Sequence, residues 1–203
     1  MDSEIRKRYR NKSKDSFKTK KKLFLFSLAL KTLDSFSVGD FENFTISEDL
    51  EKKYSSEYWQ QLEDYEINNV SIKEISQRIE KLENIHTDLF KSLESQYIEK
   101  FSLKFPEFDF EKLIETKQCH YCQITLEEIE ILGEKKKIYK KSLRGWTLEI
   151  DRLNSNFEYS PDNCVMSCYW CNNAKTDEFT EKEFLQIGKE IRKIWQTRLN
   201  DFR

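Results

Sequence analysis

Two Cys-x-x-Cys pairs constrain this chain more than any other feature: Cys119-His120-Tyr121-Cys122 and Cys168-Tyr169-Trp170-Cys171, with 45 residues between them. Each pair can form a tight knuckle whose thiolates aim at one point, and two knuckles complete a tetrahedral four-cysteine zinc site. A redox pair, or four ordinary buried cysteines, are the alternatives; a redox Cys-x-x-Cys normally opens a helix in a βαβ setting. Four thiolates close the coordination shell, so a zinc here is structural and chemistry must come from other residues.

Those residues stand beside the second pair. Trp146-Thr147-Leu148-Glu149-Ile150 reads as a β-run that ends at Asp151, with Arg152 next. A short polar loop follows with Tyr159 and Pro161-Asp162-Asn163, and Asn172 and Lys175 come just after the last cysteine. Taken together, Cys-x-x-Cys, a strand ending in Asp, a loop, an Asn opening a second strand and Cys-x-x-Cys-Asn-x-x-Lys resemble the HNH endonucleases, whose core is a ββα-metal finger. The resemblance covers roughly the last 85 residues, a size that suits a small zinc-stapled domain.

The resemblance implies hydrolysis of a phosphodiester with one hard divalent ion, Mg2+ or Mn2+, which takes oxygen ligands. Asp151 and Asn172 are the implied ligands, Cys119, Cys122, Cys168 and Cys171 the structural zinc ligands. Asn163 is implied to order the loop, and Lys175 to contact phosphate. In better-known members a His follows the strand-end Asp as general base; here that place holds Arg152, which forks onto phosphate but accepts no proton at ordinary pH. The proton then goes to Tyr159, Tyr169 or a metal-bound hydroxide, with His120 ranked lower. Two functions stay open: a metal-dependent DNA endonuclease, in restriction, phage defence or a mobile element, or a catalytically inactive zinc-stapled DNA-binding module.

The rest of the chain calls for helices. Four Gly and two Pro in 203 residues are too few for an all-β fold with many tight turns. The fold class expected is mainly α with a small α+β zinc-stapled ββα-metal (HNH) domain. Residues 1–22 hold ten Lys/Arg against three Asp/Glu, while residues 40–116 hold nine against nineteen. That asymmetry reads as a basic flexible arm over 1–22, an electrostatic handle for DNA or else a solvated tail. Residues 23–112 form a helical domain and 113–203 the zinc domain.

Leu23–Leu30 is too short to span a bilayer and lacks the features of a signal peptide, so it reads as a buried helix running to about Phe36, ended by Gly39. Residues 40–70 read as short helix and loop. Ser71-Ile72-Lys73-Glu74 is a capping box opening a long amphipathic helix over 72–102. Its stripe of Ile75, Ile79, Leu82, Ile85 or His86, Leu89 and Leu93 needs a partner, either the 23–36 helix or a second copy of the chain. His86 lies beside that stripe as a core or boundary residue. Pro106 ends the helix, and Phe108 to Ile114 leads into the zinc domain. Residues 127–141, with Lys135-Lys136-Lys137 and Lys140-Lys141, read as a hydrophilic excursion that is either a solvated face or a phosphate contact. Thr180-Glu181-Lys182-Glu183 opens a closing helix with Phe184, Ile187, Ile191, Ile194 and Trp195 on one face. Cysteines spaced for zinc suit a reducing cytoplasm better than secretion. The remaining Cys164 reads as a small buried apolar residue.

Overall fold

Ser3–Leu30 is one 28-residue helix, α1. It contains neither Gly nor Pro, and one face repeats at three/four spacing as Ser13, Ser16/Phe17, Lys20, Leu23/Phe24 and Ser27. The computed structural model describes residues 3–55, 65–139 and 144–201 of the chain. The expected boundary at residue 22 between a flexible arm and a helix is absent: both are α1. Small serines and an aliphatic lysine stem carry the inward face through the basic half, where a hydropathy pattern shows only charge.

The elements that follow are α2 (Val38–Glu42), α3 (Glu48–Ser55), β1 (Glu66–Ile67), β2 (Val70–Ser71), α4 (Ile72–Ile85), α5 (Thr87–Lys104), α6 (Glu107–Ile114), α7 (Leu126–Glu134), β3 (Glu149–Arg152), β4 (Cys164–Ser167), α8 (Tyr169–Lys175) and α9 (Glu181–Asn200). The described residues are mostly helical, with two small two-stranded sheets. The chain divides into two compact units. The first is residues 1–104 with 156–158; the second is residues 105–155 with 159–203.

In the first unit α1 packs against α3, α4 and α5. Leu23, Phe26, Ala29, Tyr54, Ile67, Ile72 and Ile75 make one core cluster. A second surrounds Phe24, whose ring meets Phe36, Phe41 and Phe44 edge-on at 4.9–5.3 Å. The stripe on α4 is thus buried against α1 of the same chain. Helix α1 ends at Leu30, not near Phe36: Thr32 turns to φ 55°, and Leu33 N–H donates back to Leu28 O at 3.1 Å, a Schellman-type stop. Gly39, expected as a terminator, lies inside α2, which Ser37 and Asp40 open with a reciprocal capping box. Asn68 and Asn69, both at positive φ, turn the β1–β2 hairpin that the pattern of residues 40–70 did not suggest.

The long helix expected over 72–102 is two. It breaks at His86, whose Nε2 bonds Asp34 O at 3.1 Å and whose ring lies 4.7 Å from that of Phe36. After the break the buried face moves to Phe90, Leu93, Tyr97 and Phe101. Ser71 caps α4, yet Glu74 bonds Arg78 at 2.6 Å instead of closing the box. Lys20 is 2% exposed, with Nζ donating to Glu42 O at 3.1 Å, and burial lowers its pKa to about 8. Glu158 accepts from Ser16 Oγ at 3.2 Å, from Lys104 Nζ at 3.0 Å and from Tyr97 Oη. Burial, and then the Glu158 charge, raise the Tyr97 pKa.

In the second unit Pro106 opens α6, and Phe110 packs edge-on against Phe105. The stretch from 127 that reads as a hydrophilic excursion contains α7, opened by a Thr125–Glu128 capping box, with Ile129 and Leu132 buried. Lys140 and Lys141 lie outside the described residues. Glu128 also takes a bidentate bond from Arg192 of α9, at 2.5 and 2.8 Å. The expected Thr180–Glu183 box opens α9. The face α9 buries is Phe184, Gly188 and Trp195; Ile187 and Ile194 are exposed. A phase set by apolar residues alone points elsewhere because Gly188 is the position of closest approach.

Candidate functional site

Strands β3 and β4 pair antiparallel with Asp151 opposite Val165 and Arg152 opposite Cys164, and α8 packs on β3. In the first knuckle Cys119 N–H donates to Ile124 O (2.9 Å) and Gln123 N–H to Cys119 O (3.0 Å). Gln123 sits at φ 59°, and its side-chain amide holds the turn by donating to Cys119 O and His120 O. In the second, Cys168 is the N-cap of α8 and its Sγ accepts from Cys171 N at 3.5 Å. His120 N–H donates to Met166 O at 2.8 Å, which docks the first knuckle on β4 beside the second.

The four Sγ atoms lie within 4.8 Å of one another, and all four cysteines are fully buried. Zinc–thiolate bonds of about 2.3 Å place tetrahedral sulfurs about 3.8 Å apart. Cys122 and Cys168 Sγ are 3.6 Å apart, and the cysteines form no disulfide. The cluster fits zinc and not a redox pair. Cys164 is buried in β4, outside the cluster.

Asp151, one residue before the end of β3, faces α8 on the side of the strand opposite the buried Ile150. Tyr121 Oη, from between the first two cysteines, donates to Asp151 Oδ2 at 2.7 Å, and Lys175 Nζ lies 3.6 Å from the same oxygen. Burial raises the Asp151 pKa, opposed first by the tyrosine hydrogen bond and then by the lysine charge. Burial and the facing carboxylate raise Tyr121, which keeps its proton as donor. Lys175 is 1% exposed and donates to Arg152 O at 2.9 Å. Its ammonium therefore braces the strand end, and the exposed phosphate contact expected for it has no open face here.

One α8 turn earlier, Asn172 Nδ2 donates to Glu149 Oε2 at 2.7 Å. Arg144 donates to Glu149 Oε1 through Nε (3.0 Å) and Nη2 (2.8 Å). The Arg152 guanidinium lies 5.0 Å from the centre of the Tyr159 ring. Asn163 closes the loop between the strands by accepting from Asn154 N and donating to Asn154 O, each at 3.0 Å. Tyr169 stacks under Arg144 at 5.4 Å. His120 Nε2 bonds Glu181 at 2.7 Å, and His86 belongs to the first unit.

The structure thus brings Asp151 and Asn172 to one β3–α8 face and pairs Arg152 with Tyr159. Tyr121, Arg144 and Glu149 were not singled out in the sequence. Only Glu149 had a local signal, since residues two apart on a strand share a face with Asp151.

No protein-family model matches the chain. Uncharacterized protein R423 of Acanthamoeba polyphaga mimivirus is 35% identical over 92 residues, 45% of this chain and 14% of that protein. Among solved structures, the rare-cutting HNH restriction endonuclease PacI is similar at 26% identity and a TM-score of 0.39, over 46% of this chain and 66% of PacI's. The chain spans less than two thirds of the length of each. No described helix is long and apolar enough to cross a membrane.

Proposed function

We propose that the protein is a metal-dependent DNA endonuclease of HNH type, hydrolysing phosphodiester bonds at the β3–α8 face. The observation that carries this is the donor set. A half-buried carboxylate one residue before the end of β3, Asp151, stands with the carboxamide of Asn172 in the middle of α8, and the Asn172 oxygen has no hydrogen-bond partner among the described residues. Two oxygens of that kind suit Mg2+ or Mn2+, which bind one or two protein oxygens and keep waters for phosphate to displace. A bound divalent ion supplies charge stabilisation for the scissile phosphate and the departing 3′ oxygen.

The chain's own groups divide the remaining tasks. Arg152 presents a planar fork for phosphate oxygens and holds its place over Tyr159. Tyr159 Oη, as the phenolate, is the candidate acceptor for the proton of the attacking water and becomes the phenol on taking it. Asn163 keeps the intervening loop closed. Lys175 and Tyr121 brace the end of β3 from below. Four cysteines hold a structural zinc that staples this frame.

A second reading has its own observation. Lys175 already gives Asp151 a positive neighbour at 3.6 Å, as in a zinc-stapled DNA-binding module without catalysis. Incubating zinc-loaded protein with plasmid, with and without Mg2+ or Mn2+, separates the two. The nuclease nicks or linearises DNA only with the ion, and Asp151→Ala and Asn172→Ala each abolish cutting at unchanged zinc content. DNA binding without ion-dependent cleavage selects the module.

A further inference from the structure

Glu149 carries no task in the scheme above, yet both of its carboxylate oxygens are held beside the site. Its side chain is 18% exposed, one oxygen takes two bonds from Arg144, and the other takes Asn172 Nδ2 at 2.7 Å. Glu149 and Asp151 share one face of β3, and Asn172 and Lys175 lie a turn apart on α8. The contacts form two rungs, Glu149 to Asn172 and Asp151 to Lys175.

A carboxamide has two ends of nearly equal size and opposite chemistry: the oxygen accepts or ligates, and the NH2 only donates. A carboxylate paired with a guanidinium offers acceptors alone. The amide end facing Glu149 is therefore the NH2.

We propose that Glu149, clamped by Arg144, is a positioning residue that locks the Asn172 carboxamide with its oxygen as the free, ligating end. This rests on Asn172 being a ligand of the divalent ion. Without the lock the amide also samples the flipped rotamer, which turns two N–H bonds toward the cation. Partners behind a metal ligand typically contribute about 10–100-fold in metal affinity.

Glu149→Gln keeps the shape and inverts the chemistry. Arg144, a donor only, retains the oxygen of the new amide, whose NH2 then faces Asn172 and draws the Asn172 oxygen away from the ion. Mn2+ binding to the zinc-loaded full chain, followed by titration calorimetry in the absence of DNA, reads this directly. Glu149→Gln is expected to weaken Mn2+ about 10–100-fold at unchanged zinc content. In an Asn172→Ala background the same change should have no further effect. Wild-type affinity in Glu149→Gln, or an equal loss in the Asn172→Ala background, overturns the positioning role and leaves the nuclease reading standing. A wild-type protein that binds no Mn2+ removes the ion site and this proposal together. A measurement without any variant serves as well. In the ion-free protein one proton of the Asn172 side-chain NH2 should be shifted downfield and protected from exchange, and a pair at ordinary carboxamide shifts with fast exchange refutes the lock.

Discussion

Gly188→Ala sets two effects of opposite sign against each other. An alanine inside a helix is favoured over glycine by about 1 kcal/mol, so by propensity the change stabilises α9. At Gly188, however, an added Cβ would stand 2.6 Å from Tyr121 O and 2.7 Å from Tyr121 C. Carbon contacts relax at about 3.5–4.0 Å. The obstacle is backbone, held between Cys119 and Cys122 and tied to β4 by the His120–Met166 hydrogen bond, so it cannot swing aside. Overpacking of this kind costs about 1–3 kcal/mol, and a rigid neighbour puts it at the upper end. The net expectation is a loss of about 1–2 kcal/mol. In a domain of this size each kcal/mol lowers the melting temperature by about 4–8 °C. Gly133→Ala is the control. Its Cβ would meet the Trp146 ring at 2.5 Å, but that obstacle is a side chain 49% exposed rather than backbone, so the change should cost less than Gly188→Ala. Thermal melts of the zinc-loaded variants, with the rate of zinc transfer to a chelator, read both. A Gly188→Ala protein that melts at or above the parent, or above Gly133→Ala, refutes the close-approach account.

Four further outcomes are expected. Cys168→Ser, or zinc removal by a chelator, should unfold the second unit, because metal binding supplies much of the folding free energy of a small zinc domain; retained α9 helicity by circular dichroism contradicts this. Tyr159→Phe should slow cleavage while leaving DNA binding and zinc content unchanged, and a fully active variant removes Tyr159 as proton acceptor. Changing Lys7, Arg10 and Lys18, on exposed α1 positions, to Gln should reduce the log–log salt slope of DNA binding by about 0.9 for each duplex phosphate that is no longer neutralised, and an unchanged slope means that this face is only solvated. Lys20 has a folded pKa of about 8 against 10.5, so between those values the unfolded chain holds the proton that the folded chain has released. Its contribution to stability therefore rises with pH across that window, and denaturant melts of Lys20→Met should show a flatter rise than the parent.

What could be read from the chain alone was whatever local spacing encodes. Two Cys-x-x-Cys pairs specify a four-sulfur cluster because each knuckle fixes two ligands within four residues. Asp151 near the end of β3 and Asn172 within the α8 that follows the last cysteines come from short motifs, as does the capping box at Thr180–Glu183. Tertiary structure decided the rest, because a periodic pattern reports that a face is buried and never against what. The inward face of α1 runs through Ser13, Ser16 and Lys20, which carry no apolar signal; Tyr97 and Glu42 supply the partners of Ser16 and Lys20. Helix α9 turns on Gly188, a residue with no side chain to score, because the Tyr121 backbone lies against it. Lys175 looks like a surface cation in the sequence and is buried because the Arg152 carbonyl and the Asp151 carboxylate meet it there. Glu149 and Asn172, 23 residues apart, find each other only when β3 and α8 are laid side by side, and that contact sets which end of the carboxamide is left to act.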